Sequence, residues 1–293
     1  MVATLTFTCR PFSFTHLVLS HGWVHLAPFT WDGEHGTLDR ALRGGSRLFH
    51  VVIRCRQRHG NSLVVARVSP TPSPAERQQL RQQVRRILRL NEDFSAFHAL
   101  CRQEHDLRFV AEQRCGGMLR GPTAFEDLIK TLCTVNCDWR NTKNMCQRLC
   151  AVHQGAFPSP TDILRMGKKG LRTQARVGFR AEPILTIARL THAGKLPLDA
   201  WAAAGDYEQI AAALRAVRGI GDYCIHHMLV LLGCYRHIPV DSEVTRYLRA
   251  TADAREANVK LAEVVQRFDR FGDYAFLAYK FGRIGRRNNF TNK

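Results

Sequence analysis

A short stretch near residue 240 places an acidic residue at the start of a predicted helix. Asp241 follows Ile238, Pro239 and Val240, and a helical pattern of apolar residues begins behind it. The amide groups at a helix start carry partial positive charge and favour the ionised carboxylate. Such a carboxylate either stabilises positive charge on a reacting carbon or simply caps the helix. Asp241 is therefore a candidate catalytic residue, with a structural N-cap as the alternative.

Upstream of this stretch, at residues 211–233, two apolar helices are predicted to meet at a glycine turn. Gly219, Ile220 and Gly221 form the turn, and the inward face of the second helix carries Ile225, Met228, Leu229 and Leu232. Glycine has no Cβ atom, so the turn can present backbone amides to a phosphate group. A hairpin of this kind holds the nucleic-acid backbone without reading bases. The alternative is an ordinary glycine cap between two helices.

The hairpin followed by the proline and Asp241 resembles the signature of the helix-hairpin-helix DNA glycosylases, the HhH-GPD superfamily. In layout the chain is most similar to the 8-oxoguanine and 3-methyladenine DNA glycosylases. The resemblance implies a DNA repair enzyme that flips a damaged base out of the duplex and hydrolyses its N-glycosidic bond. Asp241 would stabilise the oxocarbenium character of the sugar and align or activate water.

The resemblance extends upstream over residues 115–193. It implies that Asn136 fills the gap left by the extruded base, that Phe179 is an aromatic wedge and that Arg180 contacts the opposite strand. A flipped base leaves an open stack that needs such supports. The alternatives are a core phenylalanine and a solvated arginine.

Two positions depart from the family pattern. Tyr223 stands where bifunctional relatives carry the lysine that forms a Schiff base, and a phenol cannot form that imine. We therefore predict a monofunctional enzyme without AP-lyase activity. Asn141 stands close to where 8-oxoguanine enzymes use a second arginine against the opposite cytosine, which leaves opposite-base discrimination open. Rival readings are a bifunctional 8-oxoguanine glycosylase/AP lyase and a catalytically silent hairpin protein that only binds DNA.

Aromatic and histidine side chains are candidates for the pocket of the flipped base. The candidates are Tyr223, Trp139, His227 and Tyr279, because stacking would hold an extruded base. Aromatic residues at helical spacing also occur in ordinary cores, and that reading stays open. The lesion is predicted to be an alkylated or an oxidised purine.

Residue periodicity predicts the elements that position these side chains. Strands are predicted at 14–20, 23–31, 48–55 and 62–68, and a basic amphipathic helix begins at Ala75. Further helices are predicted at 123–133, 139–153, 181–193, 207–217, 222–232, 242–250 and 256–270. The fold class is α+β, mainly α. A small antiparallel β domain with its basic helix occupies residues 1–100, and a two-lobed, all-helical glycosylase module occupies 101–293.

The charge balance indicates a polyanionic partner. The 293 residues contain 43 Lys and Arg against 25 Asp and Glu, a formal net charge of +18, and phosphate contacts favour such an excess. No stretch approaches the roughly 18–20 apolar residues of a membrane span, and the N-terminus lacks a signal-peptide pattern. We expect a monomer that binds double-stranded DNA containing a damaged base. Its expected location is intracellular, in the bacterial cytoplasm or nucleoid or in a eukaryotic nucleus, away from membranes.

The ten cysteines do not follow a familiar metal-binding pattern. Cys133, Cys137, Cys146 and Cys150 lack CxxC spacing, and the C-terminal cysteine cluster of iron-sulfur glycosylases is missing. Buried free thiols are predicted, with a metal site as the alternative. No cofactor is expected for catalysis, and the resemblance allows only a structural monovalent cation on hairpin carbonyls.

Overall fold

The predicted α+β class is confirmed by the computed structural model, which describes residues 1–241, 244–246 and 265–288, the last four of these by backbone alone. An antiparallel sheet near the N-terminus precedes a mainly helical chain. No helix among the described residues is both long and apolar enough to cross a membrane. The helices predicted at 242–250 and 256–270 lie largely outside the described residues.

Five antiparallel strands form the sheet, in the order β1-β5-β4-β3-β2. They are β1 (Ala3–Cys9), β2 (Thr30–Asp32), β3 (Thr37–Gly44), β4 (Arg47–Arg58) and β5 (Asn61–Ser69). Alternate residues are buried, as expected for a sheet with one face on a core. The buried side chains include Leu5, Phe7, Phe49, Val51, Ile53, Val64, Ala66 and Val68.

Helix α2 (Pro74–Ile87) follows the sheet in the chain and contacts β3 and β1. Ser73 and Glu76 form a capping box that fixes its start. Arg81 lies 4.5 Å from the ring of Phe7. The apolar face predicted for this helix is confirmed, since Leu80, Val84, Ile87 and Leu88 are buried.

Two predicted strands are wrong. Residues 14–20 form helix α1 (Phe14–Leu19), and within 23–31 a 3-10 turn at Gly22–His25 precedes a strand that begins only at Thr30. The buried positions 14, 17 and 18 have helical spacing. The apolar residues of so short a run fit both the helical and the strand period, so the pattern alone could not separate the two.

The remaining described helices follow the predictions closely where these exist. They are α3 (Ser95–Gln103), α4 (Arg108–Glu112), α5 (Ala124–Thr134), α6 (Trp139–Ala151), α7 (Pro160–Thr173), α8 (Ala181–His192), α9 (Leu198–Ala204), α10 (Tyr207–Arg215), α11 (Asp222–Leu232) and α12 (Ala275–Asn288). Helix α7 was not predicted, because Pro160 and Gly167 suggested breaks. Pro160 instead occupies the first turn, where a backbone N–H would have no acceptor within the helix, so its absence in proline costs nothing. Gly167 bends the helix with a φ of 61°.

Helix α5 is held in its surroundings by buried ion pairs. Glu126 accepts hydrogen bonds from Arg40 of β3 at 2.9 Å and from Lys130 at 2.7 Å, and all three residues are buried. Burial would raise the pKa of Glu126, but these two cations hold it below its usual value. The next residue of the helix, Asp127, accepts a hydrogen bond from Trp23 Nε1 at 2.8 Å. These contacts fix the helix that leads to Asn136.

All ten cysteines are free thiols. Cys133, Cys146 and Cys150 are buried, and the hydrogen bond between Cys133 and Cys146, together with burial, raises the pKa of the Cys146 thiol. These three cysteines pack between α5 and α6 as small apolar side chains.

The described chain forms two compact units. The first comprises Met1–Glu92, Gly117–Asp199 and Val217–Gly219, and the second comprises Asp93–Gly116, Ala200–Ala216 and the chain from Ile220 onward. The sheet thus shares a unit with α5 to α8. The domain boundary at residues 100 and 101 stays a prediction, and the compact units divide the chain elsewhere.

Candidate DNA-binding and catalytic site

The predicted helix-hairpin-helix is confirmed by α10 and α11. Leu214, Ile225 and Met228 are buried, and Gly219 adopts a φ of 95°, a left-handed conformation that favours glycine. Gly221 is the N-cap of α11 with an extended backbone, and a Cβ atom there would meet nothing within 4 Å. The open space at Gly221 suits the approach of a bulky group such as a phosphate.

An acidic side chain lies at the first position of the same helix. Asp222 is 75% exposed and pairs with Arg215 of α10 at 3.3 Å. A carboxylate at this position interacts favourably with the helix macrodipole, but it repels a phosphate that approaches the same amides. The pair with Arg215 reduces that opposition.

Asp241 lies partly buried in the second unit, directly after the exposed side chain of Val240. Its Oδ1 accepts the backbone N–H of Val244 at 2.8 Å, and its carbonyl accepts the N–H of Thr245 at 3.0 Å. Asp241 thus has the geometry of an N-cap. No described residue donates a hydrogen bond to its second carboxylate oxygen, Oδ2.

Asn136 lies in the turn between α5 and α6, in the first unit. Its side chain is exposed, and its backbone has a φ of 46°, a left-handed conformation that asparagine tolerates better than most residues. Asp138 begins α6 by accepting the N–H of Asn141 at 2.7 Å, and it also accepts the Asn141 amide at 2.6 Å. The side chain of Asn141 is therefore engaged in this cap.

Arg180 lies beneath this turn, and Phe179 beside it is exposed. Arg180 is 6% exposed and donates from Nε to the carbonyl of Leu132 at 2.9 Å. Its other terminal nitrogens reach the carbonyls of Val177, Val135 and Asn136. The guanidinium carbon lies 4.3 Å from the ring of Phe179, whose residue is 60% exposed. A direct contact of Arg180 with DNA would require its side chain to leave these carbonyls.

Trp139 begins α6, three residues after Asn136, and is 40% exposed. It packs over the backbone of Gly22, where a Cβ atom would lie 2.7 Å from Trp139 Cη2. Among the described residues, Trp139 and Phe179 are the only large exposed aromatic side chains. One of them, Trp139, lies three residues after Asn136, and the other, Phe179, contacts Arg180, which bonds to the carbonyl of Asn136.

Tyr223, His227 and Tyr279 belong to the second unit. The rings of Tyr223 and His227 lie 5.6 Å apart on α11, whereas Tyr279 of α12 is only 3% exposed and meets Phe268 edge to face at 5.8 Å. Tyr279 is thus part of the core of this unit. Burial, together with the charge of Lys280, lowers the pKa of His227 to about 3, so its imidazole is neutral at physiological pH.

Lys280 is a residue to which the sequence analysis gives no role. It is 8% exposed on α12 and acts electrostatically on His227. The one signal in the sequence was a single charged residue within the aromatic run 274–281. Buried lysines are uncommon unless they are paired.

The antiparallel sheet, the helices that follow it and the hairpin of α10 and α11 form a fold that solved structures of DNA glycosylases share. No protein-family model matches the chain, and no curated protein matches it in sequence. The similarity to solved structures extends over nearly the whole chain. The 3-methyladenine DNA glycosylase of Archaeoglobus fulgidus has a TM-score of 0.74 at 17% identity, over 98% of this chain and 100% of that one.

Two further structures share the fold. The Clostridium acetobutylicum 8-oxoguanine glycosylase/lyase, in complex with double-stranded DNA containing cytosine opposite 8-oxoguanine, has a TM-score of 0.69 at 15% identity, over 99% of this chain and 98% of that one. The Schizosaccharomyces pombe 3-methyladenine DNA glycosylase in complex with abasic DNA has a TM-score of 0.50 at 18% identity, over 68% of this chain and 100% of that one. The family resemblance seen in the sequence is thereby confirmed for the fold.

Proposed function

We propose that the protein is a DNA N-glycosylase that removes an alkylated or oxidised purine from double-stranded DNA as a monomer. Asp241 acts on the sugar of the flipped nucleotide, and Asn136 and Phe179 occupy the vacated stack. The hairpin holds the DNA backbone through the amides after Gly219 and Gly221, and its carbonyls accommodate a structural monovalent cation. No cofactor takes part in the reaction.

The observation that carries this proposal is the arrangement of the Asp241 carboxylate. One oxygen is fixed by the N–H of Val244, so the group is held in one orientation next to a helix start. The opposite oxygen has no described donor and can face an electron-deficient sugar carbon. A fixed anion aimed at developing positive charge lowers the barrier because little reorganisation is needed during the reaction.

The proposed enzyme is monofunctional, because Tyr223 of the hairpin cannot form an imine. A bifunctional glycosylase/lyase is the second candidate, and one observation favours it. Lys280 is a buried lysine of the second unit, which also contains Asp241, and its charge acts on His227 of the hairpin helix α11. If strand cleavage accompanies excision, Lys280 is the amine to test first.

The test uses end-labelled duplexes that each contain one lesion, either an alkylated purine or 8-oxoguanine. The purified full chain is incubated with each duplex, and products are resolved with and without hot alkali. Strand cleavage only after alkali is the expected result and identifies the excised base. Cleavage without alkali, with a borohydride-trapped adduct that is lost in Lys280→Met, would replace the monofunctional proposal by the bifunctional one.

A third outcome would contradict both enzyme proposals. If no lesion yields product while the protein still binds duplex DNA, the hairpin serves a protein that only binds DNA. Asp241→Asn would then leave DNA binding unchanged, and no catalytic role would remain for this residue.

A further inference from the structure

The buried position of Arg180 gives this residue a task that the sequence does not suggest. Its side chain donates to the carbonyls of Leu132 and Val135 at the end of α5, to Asn136, and to Val177 just before its own 3-10 turn. The guanidinium therefore joins two chain segments that are 44 to 48 residues apart in sequence.

The end of α5 offers carbonyl acceptors to this guanidinium. The last carbonyls of a helix lack partners within the helix and carry partial negative charge. Thr134 donates to the carbonyl of Thr131 at 2.7 Å, and Thr142 donates to that of Cys133 at 3.1 Å. The carbonyl of Leu132 accepts the backbone N–H of Val135 at 3.2 Å, and Arg180 adds a second, charged donor to the same carbonyl.

The same guanidinium contacts both residues that the proposed function assigns to the vacated stack. It bonds to the carbonyl of Asn136, whose left-handed backbone carries local strain. It also lies 4.3 Å from the ring of Phe179, which limits the motion of an otherwise exposed aromatic side chain.

We propose that Arg180 is a positioning residue that holds the Asn136 turn and Phe179 in register with each other, and that it does so without itself contacting DNA. This inference rests on the proposed function, since it concerns how Asn136 and Phe179 act. A fixed arrangement matters because a small displacement of a positioning group can lower a rate by about a hundredfold.

The test is a double-mutant cycle with Arg180→Met and Asn136→Ala, measured on a lesion that the wild-type protein excises. Single-turnover excision at saturating duplex should fall about tenfold or more in Arg180→Met, while the Kd for undamaged duplex changes less than about threefold. Because Arg180 acts through the Asn136 turn, adding Asn136→Ala should lower the rate less than about twofold further. If the excision rate of the double variant falls by the product of the two single-variant factors, the inference is overturned.

A matched control separates positioning from general stability. Arg89 is also buried in the first unit and donates from Nε to the carbonyl of Met118 at 2.7 Å. Arg89→Met should lower thermal stability as Arg180→Met does. Any fall in excision rate that it causes should be independent of Asn136→Ala, so that the double variant shows the product of the two single-variant factors. If Arg180→Met and Arg89→Met show the same coupling with Asn136→Ala in excision rate, Arg180 contributes only to stability and the proposal fails.

A second measurement does not require catalysis. Amide hydrogen exchange of residues 135–138 should accelerate about tenfold or more in Arg180→Met and stay unchanged in Arg89→Met. If exchange at 135–138 is the same in both, the positioning role is refuted. Absence of excision in the wild-type protein would refute the proposed function instead, so the two failures are distinguishable.

Discussion

Replacing Asp241 with asparagine separates the two tasks that its side chain performs. The Oδ1 atom accepts the N–H of Val244 at 2.8 Å, and an asparagine carbonyl can accept the same bond. Asparagine and aspartate are nearly equivalent as N-caps. Only the negative charge is lost, and near a helix start that charge contributes about 0.3–1 kcal/mol to the free energy of unfolding.

The effect on excision is expected to be much larger than the effect on folding. Removing a preorganised electrostatic group costs about 10²- to 10³-fold in rate, or about 2.7–4 kcal/mol of transition-state stabilisation. Asp241→Asn should therefore lose at least a hundredfold in single-turnover excision while its free energy of unfolding falls by less than about 1 kcal/mol. Asp241→Ala should lose the same activity and about 1 kcal/mol of stability, because the cap is gone as well.

Three assays decide the outcome. Single-turnover excision on the lesion duplex gives the rate, and denaturant unfolding of both variants gives the stability. Binding of undamaged duplex by fluorescence anisotropy should stay within about threefold for both variants, since the proposed contact forms with a flipped nucleotide. If Asp241→Asn retains more than about a tenth of the rate, the charge of Asp241 is not used in the reaction, and its role is the cap alone.

Three further predictions follow from charges described above. Glu126→Gln leaves two buried cations without their shared carboxylate, so the free energy of unfolding should fall by about 3–5 kcal/mol. Thermal unfolding should show this loss, and the exposed control Glu34→Gln should unfold as the wild type does. His227 has a pKa lowered to about 3, so its contribution to stability is complete above its unfolded value of about 6.5 and declines by about 1.4 kcal/mol per pH unit below it. His227→Gln should flatten the pH dependence of urea unfolding between about pH 6 and 4, and an unchanged slope would contradict the shift. Asp222→Asn should tighten duplex binding about two- to fivefold at low salt, because it removes a negative charge next to the hairpin amides. An unchanged Kd in anisotropy titrations would argue against a phosphate at these amides.

The hairpin could be predicted because its determinants are local in sequence. Gly219 supplies a backbone conformation that most residues avoid, with a φ of 95°, and the apolar spacing of α10 and α11 is visible in each helix alone. The N-cap role of Asp241 is local for the same reason, since its partner Val244 is three residues away. Elements and caps of this kind follow from periodicity and side-chain chemistry.

The environment of Arg180 could not be predicted in this way. Its carbonyl partner at Leu132 lies 48 residues earlier in the chain, and nothing in either segment indicates that they meet. Arginine is usually exposed, so sequence reasoning favoured a contact with DNA or solvent. The same limit applies to Lys280 and His227, whose proximity depends on how α11 and α12 pack.

The contact between Gly22 and Trp139 links an exposed aromatic side chain to a distant part of the sequence. A single methyl group at residue 22 would lie 2.7 Å from the indole, which is closer than nonbonded atoms approach. Any side chain there would force the tryptophan to tilt or the N-terminal segment to withdraw. The orientation of this exposed tryptophan can therefore be changed, in evolution or in directed mutagenesis, by one substitution more than a hundred residues away from it.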